Sequence, residues 1–221
     1  RGWGCFLMAP WAGRIAGGRL AWGGGVVELP RTVDGHAIHG VVYDRAAAVE
    51  QVTATTATLS WVLEATPWPF AGVVRQHVAL DADGLSVSGE IVARESMPAA
   101  LGWHPWFRRD EADVRVTVSA DHVLETVGLI PTGRLLPVEG PTDLRAGPAL
   151  GTRRLDHVYA AARSPAEVRW PDLRLELAFA APLATIVVYT PPGAVCVEPQ
   201  TAWPDAPALA ARGIAGTGLV T

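Results

Sequence analysis

The chain has 221 residues and a formal net charge of −4, with 49% hydrophobic and 18% charged residues. All 18 basic residues are arginine, which excludes Schiff-base chemistry on a lysine and a Walker-type phosphate loop. The basic residues form no cluster longer than a pair, and no apolar run is long enough to span a bilayer, so we expect neither nucleic acid nor membrane partners. Two cysteines without metal-ligand spacing indicate a reducing, cytoplasmic compartment and no metal site.

Short segments of β composition follow one another through the first half of the chain. Residues 26–29 predict a short strand, and residues 52–64 mix Thr, Val, Leu and Trp in partial alternation. Residues 73–80 and 85–94 predict a hairpin, whose turn at residues 81–84 reads Asp-Ala-Asp-Gly. Apolar and polar residues alternate along the second of these strands, which predicts a half-buried antiparallel strand.

The second half of the chain continues the β pattern. Alternating or apolar runs lie at residues 114–118, 173–179, 184–190 and 195–198. No stretch of twelve or more residues shows a 3.6-residue period, and residues 206–212 predict a short helix at most. We therefore expect one all-β domain over residues 1–221, built as an antiparallel β-sandwich or barrel.

An aromatic stretch at residues 102–107 reads Gly-Trp-His-Pro-Trp-Phe and surrounds His104. Proline pushes the preceding residue towards extended geometry, so we expect His104 at the end of a strand. A titratable group in an apolar wall suits a site that binds a small ring-shaped molecule and moves a proton. A histidine buried in a packed aromatic cluster is the structural alternative.

Five polar residues stand in unusual local settings: Arg14, His39, His104, Asp156 and Glu198. Glu198 follows three apolar residues, and if its carboxyl group points inward, desolvation raises its pKa and makes it a better base. A solvent-exposed acid at a strand end is the alternative for this residue. Together the five side chains could bind several hydroxyl groups and shuttle a proton.

Five ordered segments carry a family resemblance. They are residues 10–15 (Pro-Trp-Ala-Gly-Arg-Ile), 37–40 (Ala-Ile-His-Gly), 101–107 (Leu-Gly-Trp-His-Pro-Trp-Phe), 155–159 (Leu-Asp-His-Val-Tyr) and 196–201 (Cys-Val-Glu-Pro-Gln-Thr). In these segments the chain resembles the aldose 1-epimerases, also called galactose mutarotases, and particularly their actinobacterial-type bacterial members. The resemblance implies a large twisted antiparallel β-sandwich of the galactose mutarotase type and a reaction without metal or organic cofactor.

The resemblance also implies an isomerase that interconverts the α and β anomers of a free hexose such as glucose or galactose. Glu198 then matches the general base at the anomeric hydroxyl, and His104 matches the acid at the ring oxygen. His39 matches a second histidine near the ring oxygen, while Asp156 and Arg14 match sugar-binding residues. The chemistry requires Glu198 ionised and His104 protonated, and we expect a cytoplasmic monomer or homodimer.

Two departures and three alternatives accompany this hypothesis. Gly13 stands where family members usually have Asn, which puts one hydrogen bond in doubt, and only nine residues precede Pro10, so N-terminal strands of the sandwich are expected to be lacking. One alternative is a hexose-6-phosphate 1-epimerase, whose phosphate could be held by Arg108 and Arg109. The others are a catalytically inactive sugar-binding protein of the same fold and a β-sandwich interaction module.

Four tryptophans are candidates for stacking on a sugar, with core packing expected for at least two: Trp11, Trp103, Trp106 and Trp203.

Overall fold

The computed structural model describes residues 4–109 and 114–221. These residues form eighteen strands, one α-helix and short 3-10 turns. The strands are β1 (Gly4–Met8), β2 (Arg14–Ile15), β3 (Arg19–Trp22), β4 (Gly25–Glu28), β5 (Ala37–Ile38), β6 (Ala48–Val52), β7 (Thr56–Val62), β8 (Gly72–Leu80), β9 (Leu85–Ala93), β10 (Gly102–Arg108), β11 (Arg115–Ser119), β12 (His122–Val127), β13 (Ile130–Pro137), β14 (Asp156–Ala160), β15 (Arg163–Arg169), β16 (Arg174–Leu177), β17 (Thr185–Tyr189) and β18 (Ala194–Gln200). The helices are α1 (Ala206–Ala211) and 3-10 turns at Ala16–Gly18, Leu63–Ala65 and Gly140–Thr142.

A seven-stranded antiparallel sheet organises the fold, in the order β1-β10-β18-β17-β14-β12-β13. A four-stranded sheet, β6-β7-β8-β9, and a three-stranded sheet, β11-β15-β16, accompany it. The pairs β2-β5 and β3-β4 complete the described strands. The expected all-β, antiparallel sandwich is confirmed.

One face of the seven-stranded sheet supplies the core. Because side chains alternate along a strand, Val195 and Val197 of β18 point to the face opposite Glu198. They pack with Val116 and Val168 of the three-stranded sheet in one apolar cluster. A second cluster joins Trp103 of β10 to the four-stranded sheet and the N-terminal segments. Each fully buried side chain of this kind stabilises the fold by roughly 1.5–3 kcal/mol. The opposite face of the large sheet carries Glu198 together with a smaller apolar cluster that includes Val187 and Trp203.

The predicted hairpin forms, but its second strand is more exposed than the alternating pattern indicated. Strands β8 and β9 pair along their whole length, and the Asp81 amide donates to the Gly84 carbonyl across the turn. In β9 only Gly89 and Ile91 are partly buried, and Leu85 is 61% exposed. The prediction of a half-buried strand is therefore wrong for the outer half of β9, because the hairpin extends beyond the apolar cluster on which its inner end packs.

The short helix predicted near the C-terminus is confirmed as α1, Ala206–Ala211. Within residues 4–109 and 114–221, no helix has the length and apolar character needed to cross a bilayer.

Candidate active site

The polar face of the seven-stranded sheet brings distant segments into two neighbouring rows. In one row Phe6 of β1 lies opposite His104 of β10, and Val187 of β17 lies opposite Glu198 of β18. In the next row Trp106 lies opposite Cys196, which lies opposite Tyr189, which lies opposite Asp156. Side chains two residues apart on a strand share a face, so strand register alone places these groups on one surface.

His104 and Glu198 form a direct contact at the centre of this face. The Nε2 atom of His104 lies 3.3 Å from Oε1 of Glu198, and the two residues are only 5% and 2% exposed. Strand β10 pairs with β18 at Gly102 and again from Trp106, and the ladder is not registered between them. Pro105 lies in this interval and has no N–H to donate. Because β10 spans Gly102–Arg108, His104 lies within the strand and not at its end, which corrects the expectation from sequence.

Aromatic rings enclose the His104 imidazole on several sides. Trp106 stacks on it with a centroid distance of 5.0 Å and an interplanar angle of 3°, and Phe6 lies 4.8 Å away. The His39 ring approaches edge-on at 5.1 Å. This packing fixes the ring orientation and keeps water away from it. The Nδ1 atom of His104 is buried and has no hydrogen-bond partner.

A sharp backbone turn presents His39 to the site. His39 has a φ of +62°, and Gly40, with a φ of +79°, passes so close to β1 that a Cβ atom would lie 1.9 Å from the Ala9 carbonyl oxygen. Only glycine permits this approach, because it has no Cβ. The His39 amide also donates to the Gly13 carbonyl at 2.9 Å, so the turn is tied to the loop that carries Arg14.

Arg14 enters the site from β2, which pairs with β5 just before His39. Its Nη2 atom lies 3.7 Å from Oδ2 of the exposed Asp34, and its buried Nε has no partner. Gly13 has a φ of +67°, and a Cβ there would lie 2.6 Å from Cγ of Pro204. An asparagine would not fit at this position without moving Pro204, so the expected departure at Gly13 is built into the local packing.

A cleft with a cavity volume of about 320 Å³ lies over the polar face. All five of the residues singled out from the sequence line it, so the structure brings the predicted set together. The other polar or aromatic residues that line it are Tyr43, Trp106, Thr126, Tyr189 and Gln200. A concave site of this size with a few convergent polar groups is typical of a small-molecule site.

Burial controls the protonation of the central pair. Desolvation raises the pKa of Glu198 well above its usual 4.5, and the Asp156 charge raises it further, while Gln200 and Arg14 oppose this change. Desolvation lowers the pKa of His104 from 6.5 to about 4. Both groups thus favour their neutral forms, and the pair as a unit holds one proton over a wide pH range. In this buried setting the proton lies on Glu198, which corrects the expectation of an ionised Glu198 and a protonated His104.

The two flanking residues are also desolvated. Burial raises the pKa of the Asp156 carboxyl group, although the Arg14 and His157 charges act in the opposite direction. Burial lowers the pKa of His39 well below 6.5, and the charges of His104 and Arg14 reinforce this. A neutral His39 can both donate and accept a hydrogen bond, which suits contact with a hydroxyl group.

Cys196 lies beside the acid/base pair, in the neighbouring row of the same sheet face. Its Sγ and the donor atoms of His104 and Glu198 lie within 4.8 Å of one another, a spacing compatible with a metal ion. Burial raises the pKa of the thiol strongly, and the carboxylates nearby add to the effect. A thiol must lose its proton to bind a metal well, so this environment favours a neutral thiol packed beside the pair. Cys5 and Cys196 are both free thiols.

Residues 2–215 match the family model described as aldose 1-epimerase. The chain belongs to the aldose 1-epimerase family. Over 107 residues it is 31% identical to the uncharacterized protein YphB of Escherichia coli K12, an alignment that spans 47% of the chain and 36% of that relative's length.

Solved structures of aldose 1-epimerase relatives share the fold. A candidate aldose 1-epimerase from Escherichia coli K12 superposes with a TM-score of 0.82 at 19% identity, over 92% of this chain and 75% of its own. A GalM/aldose epimerase homologue from C. elegans gives 0.77 at 18% identity, over 91% and 74%. A galactose 1-epimerase from Lactobacillus acidophilus NCFM gives 0.72 at 17%, over 90% and 71%. These likenesses establish the fold, and the expected actinobacterial subgroup is not supported by them.

The arginines expected to hold a phosphate do not serve this epimerase-family cleft. Arg109 is buried and donates to the carbonyl oxygens of Gly151 and Arg153, and neither Arg108 nor Arg109 lines the cleft. Among the described residues that line the cleft, Arg14 is the one permanent cation. The suggested phosphate site at Arg108 and Arg109 is therefore not part of this cleft, and the guanidinium of Arg109 is already bound to backbone carbonyl groups.

Sequence reasoning missed four polar or aromatic residues of the cleft: Tyr43, Thr126, Tyr189 and Gln200. Gln200 could have been found, because it lies two residues after Glu198 on one strand and so shares its face. Tyr189 reaches the site through its pairing with Asp156 and Cys196, which only the sheet order reveals. Of the four tryptophans considered for stacking, Trp106 lines the cleft. The others pack in apolar clusters: Trp11, Trp103 and Trp203.

Proposed function

We propose that the protein is an aldose 1-epimerase that interconverts the α and β anomers of a free hexose. The observation that supports this is the His104–Glu198 contact of 3.3 Å, buried at the base of a cleft that also contains Arg14, His39 and Asp156. An acid and a base side by side, with hydroxyl-binding groups around them, are what reversible opening of a cyclic hemiacetal requires.

The reaction needs two proton transfers of opposite direction. The anomeric hydroxyl on C1 loses its proton while the ring oxygen gains one, and the C1–O5 bond breaks to give the open aldehyde. Concerted transfer avoids a free alkoxide or oxonium ion, so the base must lie within reach of the anomeric oxygen while the acid lies within reach of O5. Each such positioned group contributes roughly 10²–10⁴-fold to the rate.

In this mechanism Glu198 takes the proton from the anomeric hydroxyl and His104 protonates the ring oxygen. The pair starts with one proton, which must move from Glu198 to His104 before Glu198 can act as a base. Sugar hydroxyl groups that enter the cleft bring hydrogen-bond donors to the carboxylate, which favours this charged form. After rotation about C1–C2, the same two groups act in reverse and close the ring as the other anomer.

The remaining polar side chains bind and orient the sugar. Arg14 has a buried Nε with no protein partner, and His39 has a buried Nδ1 with none, so both can bond to hydroxyl groups. Asp156 lies one row away from the pair and can accept bonds from a hydroxyl. Trp106 lines the cleft and offers an apolar surface for the ring. We propose that the enzyme acts as a cytoplasmic monomer or homodimer without metal or cofactor.

Polarimetry of freshly dissolved α-D-glucose and α-D-galactose tests this proposal. The protein should accelerate mutarotation beyond the spontaneous rate, and Glu198→Gln should lower kcat by at least about 10³-fold. Gln51→Glu on exposed strand β6 is the control for an acid/amide exchange outside the cleft and should retain wild-type rate. A folded wild-type protein that binds sugar without accelerating mutarotation would instead be a binding protein of the same fold.

A further inference from the structure

Gln200 is the buried residue of the cleft to which the mechanism above gives no role. It is fully buried at the end of β18, and its Nε2 atom lies 3.3 Å from Oε2 of Glu198. Its Oε1 atom is also buried and has no hydrogen-bond partner. A buried amide oxygen without a hydrogen-bond partner lowers folding stability by about 1–3 kcal/mol. A glutamine that stays in this state is therefore expected to have a functional role.

Packing around Gln200 holds its side chain beside the base. Gly102 lies directly opposite on β10, and a Cβ at that position would meet Cγ of Gln200 at 2.9 Å and the Met8 methyl group at 2.8 Å. Thr185 lies opposite on β17. Because Gly102 has no side chain, the aliphatic carbons of Gln200 fit in the space beside it. These contacts hold the side chain in place, while the terminal amide group can still rotate.

We propose that Gln200 is a positioning residue, an amide that keeps the Glu198 carboxyl group oriented in both of its protonation states. The inference rests on the proposed epimerase function of the cleft. When Glu198 is ionised, the Nε2 group donates to Oε2. When Glu198 is protonated, rotation of the amide presents Oε1 as the acceptor for the carboxyl O–H. The carboxyl group thus keeps a partner at each stage of a cycle in which it gains and returns one proton.

A cation at this position could not do the same. Arginine or lysine has donors only and would hold Glu198 as a carboxylate, which would make it a weaker base. Leucine or methionine would leave the ionised oxygen without a donor. An amide lies between these extremes, and the direction of its effect on Glu198, a modest lowering of the pKa against a larger rise from burial, agrees with this role.

Other groups also act on the charge of Glu198, and any test must leave them in place. The titratable or charged side chains around it are Arg14 on β2, His39 after β5, His104 on β10, Asp156 on β14, Tyr189 on β17 and Cys196 on β18. Substitution of Gln200 alone changes none of these side chains. A change in the pH profile can then be attributed to the amide.

The test compares Gln200→Met with the wild type and with Gln76→Met. Gln76 is a buried glutamine on β8 outside the cleft, so its substitution controls for loss of a buried amide elsewhere. For Gln200→Met we expect kcat to fall about 10-fold, from loss of one bond to the base. The alkaline limb of the kcat profile should move up by about one pH unit, because a donor bond to a charged group is stronger than one to its neutral form.

Two further measurements separate positioning from structure. Gln200→Glu keeps the size of the side chain but places a second acid beside Glu198, so it should move the alkaline limb further in the same direction. In carboxyl-¹³C spectra, the Glu198 resonance, identified by its loss in Glu198→Gln, should titrate at higher pH in Gln200→Met than in wild type. This readout does not depend on turnover.

The outcomes are distinguishable. An active wild type, with Gln200→Met equal to it in kcat, pH profile and carboxyl titration, overturns the inference and leaves the epimerase function intact. An inactive wild type removes the epimerase function on which the inference rests and therefore overturns it as a role in catalysis, whatever the carboxyl titration shows. If the wild type is active, and Gln200→Met shifts both the alkaline limb of the kcat profile and the Glu198 carboxyl titration to higher pH, the epimerase function and the role of Gln200 are both supported.

Discussion

At the scale of single residues, catalysis depends on one proton held by two desolvated groups. The pair loses its base when a second proton is taken up at low pH, and it loses its acid when the only proton leaves at high pH. Because burial lowers the pKa of His104 to about 4 and raises that of Glu198 well above 4.5, both limits move outward.

We therefore predict a broad, bell-shaped pH profile of kcat/KM. The acid limb should lie below 6.5, the ordinary value for histidine, and the alkaline limb should lie well above 4.5, the ordinary value for glutamate. Mutarotation rates between pH 4 and 10, corrected for the spontaneous reaction in each buffer, check this. An acid limb at or above 6.5 would show that the pair is more hydrated than its burial implies.

Substitution of the two histidines should affect different kinetic parameters. His104→Asn removes the acid in contact with Glu198 and should lower kcat by roughly 10²–10⁴-fold. His39→Asn removes a neutral hydrogen-bonding group and should mainly raise KM, by about 10-fold. Steady-state kinetics on one sugar give both parameters. If His39→Asn shows the larger loss of kcat, the acid has been assigned to the wrong histidine.

Local sequence predicted the chemistry of the site better than it predicted the neighbours of each residue. The apolar residues before Glu198 predict desolvation if its carboxyl group points inward, and at 2% exposure the structure decides against the alternative of a solvent-exposed acid. The stacking of Trp106 on His104 follows from a two-residue offset within one strand. Tyr189 could not be placed in advance, because its position depends on the order β18-β17-β14, which no local pattern specifies.

At the scale of elements, the close approach of Gly40 to β1 joins the strand register to the site. We predict that Gly40→Ala destabilises the fold by at least about 2 kcal/mol and raises KM, because the new Cβ must push the Ala9 carbonyl, and with it His39, out of place. Chemical denaturation and steady-state kinetics measure the two effects.

Gly24→Ala is the matched control for this prediction. Gly24 has the same φ of +79° as Gly40, but a Cβ there meets nothing within 4 Å. It therefore incurs only the backbone strain of alanine in the left-handed region, about 1 kcal/mol, and should leave KM unchanged. Equal effects of the two substitutions would mean that strain at positive φ, and not the contact with β1, is what glycine avoids at position 40.

Strand boundaries show where a local pattern stops being informative. Periodicity placed the β8-β9 hairpin correctly, because its register is set by its own short turn. The same periodicity overstated the burial of β9, since Leu85 and Val87 have the right spacing but lie beyond the apolar cluster that covers Ile91. The burial of a strand face depends on which other elements pack against it. The alternation of apolar and polar residues along the strand does not show how far those elements extend.

At the scale of the whole molecule, burial of the reactive pair affects folding stability, in opposite directions for the two groups. The folded-state pKa of His104 is lowered, so the unfolded chain binds more protons between pH 6.5 and about 4, and stability is lost as the pH falls through this range. The folded-state pKa of Glu198 is raised, so the unfolded chain releases its proton first, and stability is lost as the pH rises above 4.5.

Because the two slopes are opposite, removing one member of the pair should change the pH dependence of stability in a direction that depends on which member is removed. Between pH 4.5 and 6.5, Glu198→Gln should make the free energy of unfolding rise more steeply with pH than in wild type, because only the histidine contribution remains. His104→Asn should make the slope smaller or negative. Each change can reach about 1.4 kcal/mol per pH unit, and denaturation curves at several pH values measure it. His39 and Asp156 remain in both variants and add the same background. Identical slopes in the two variants would show that burial does not shift the pKa values of Glu198 and His104. The mechanism, which depends on one proton shared by this pair, would then be wrong.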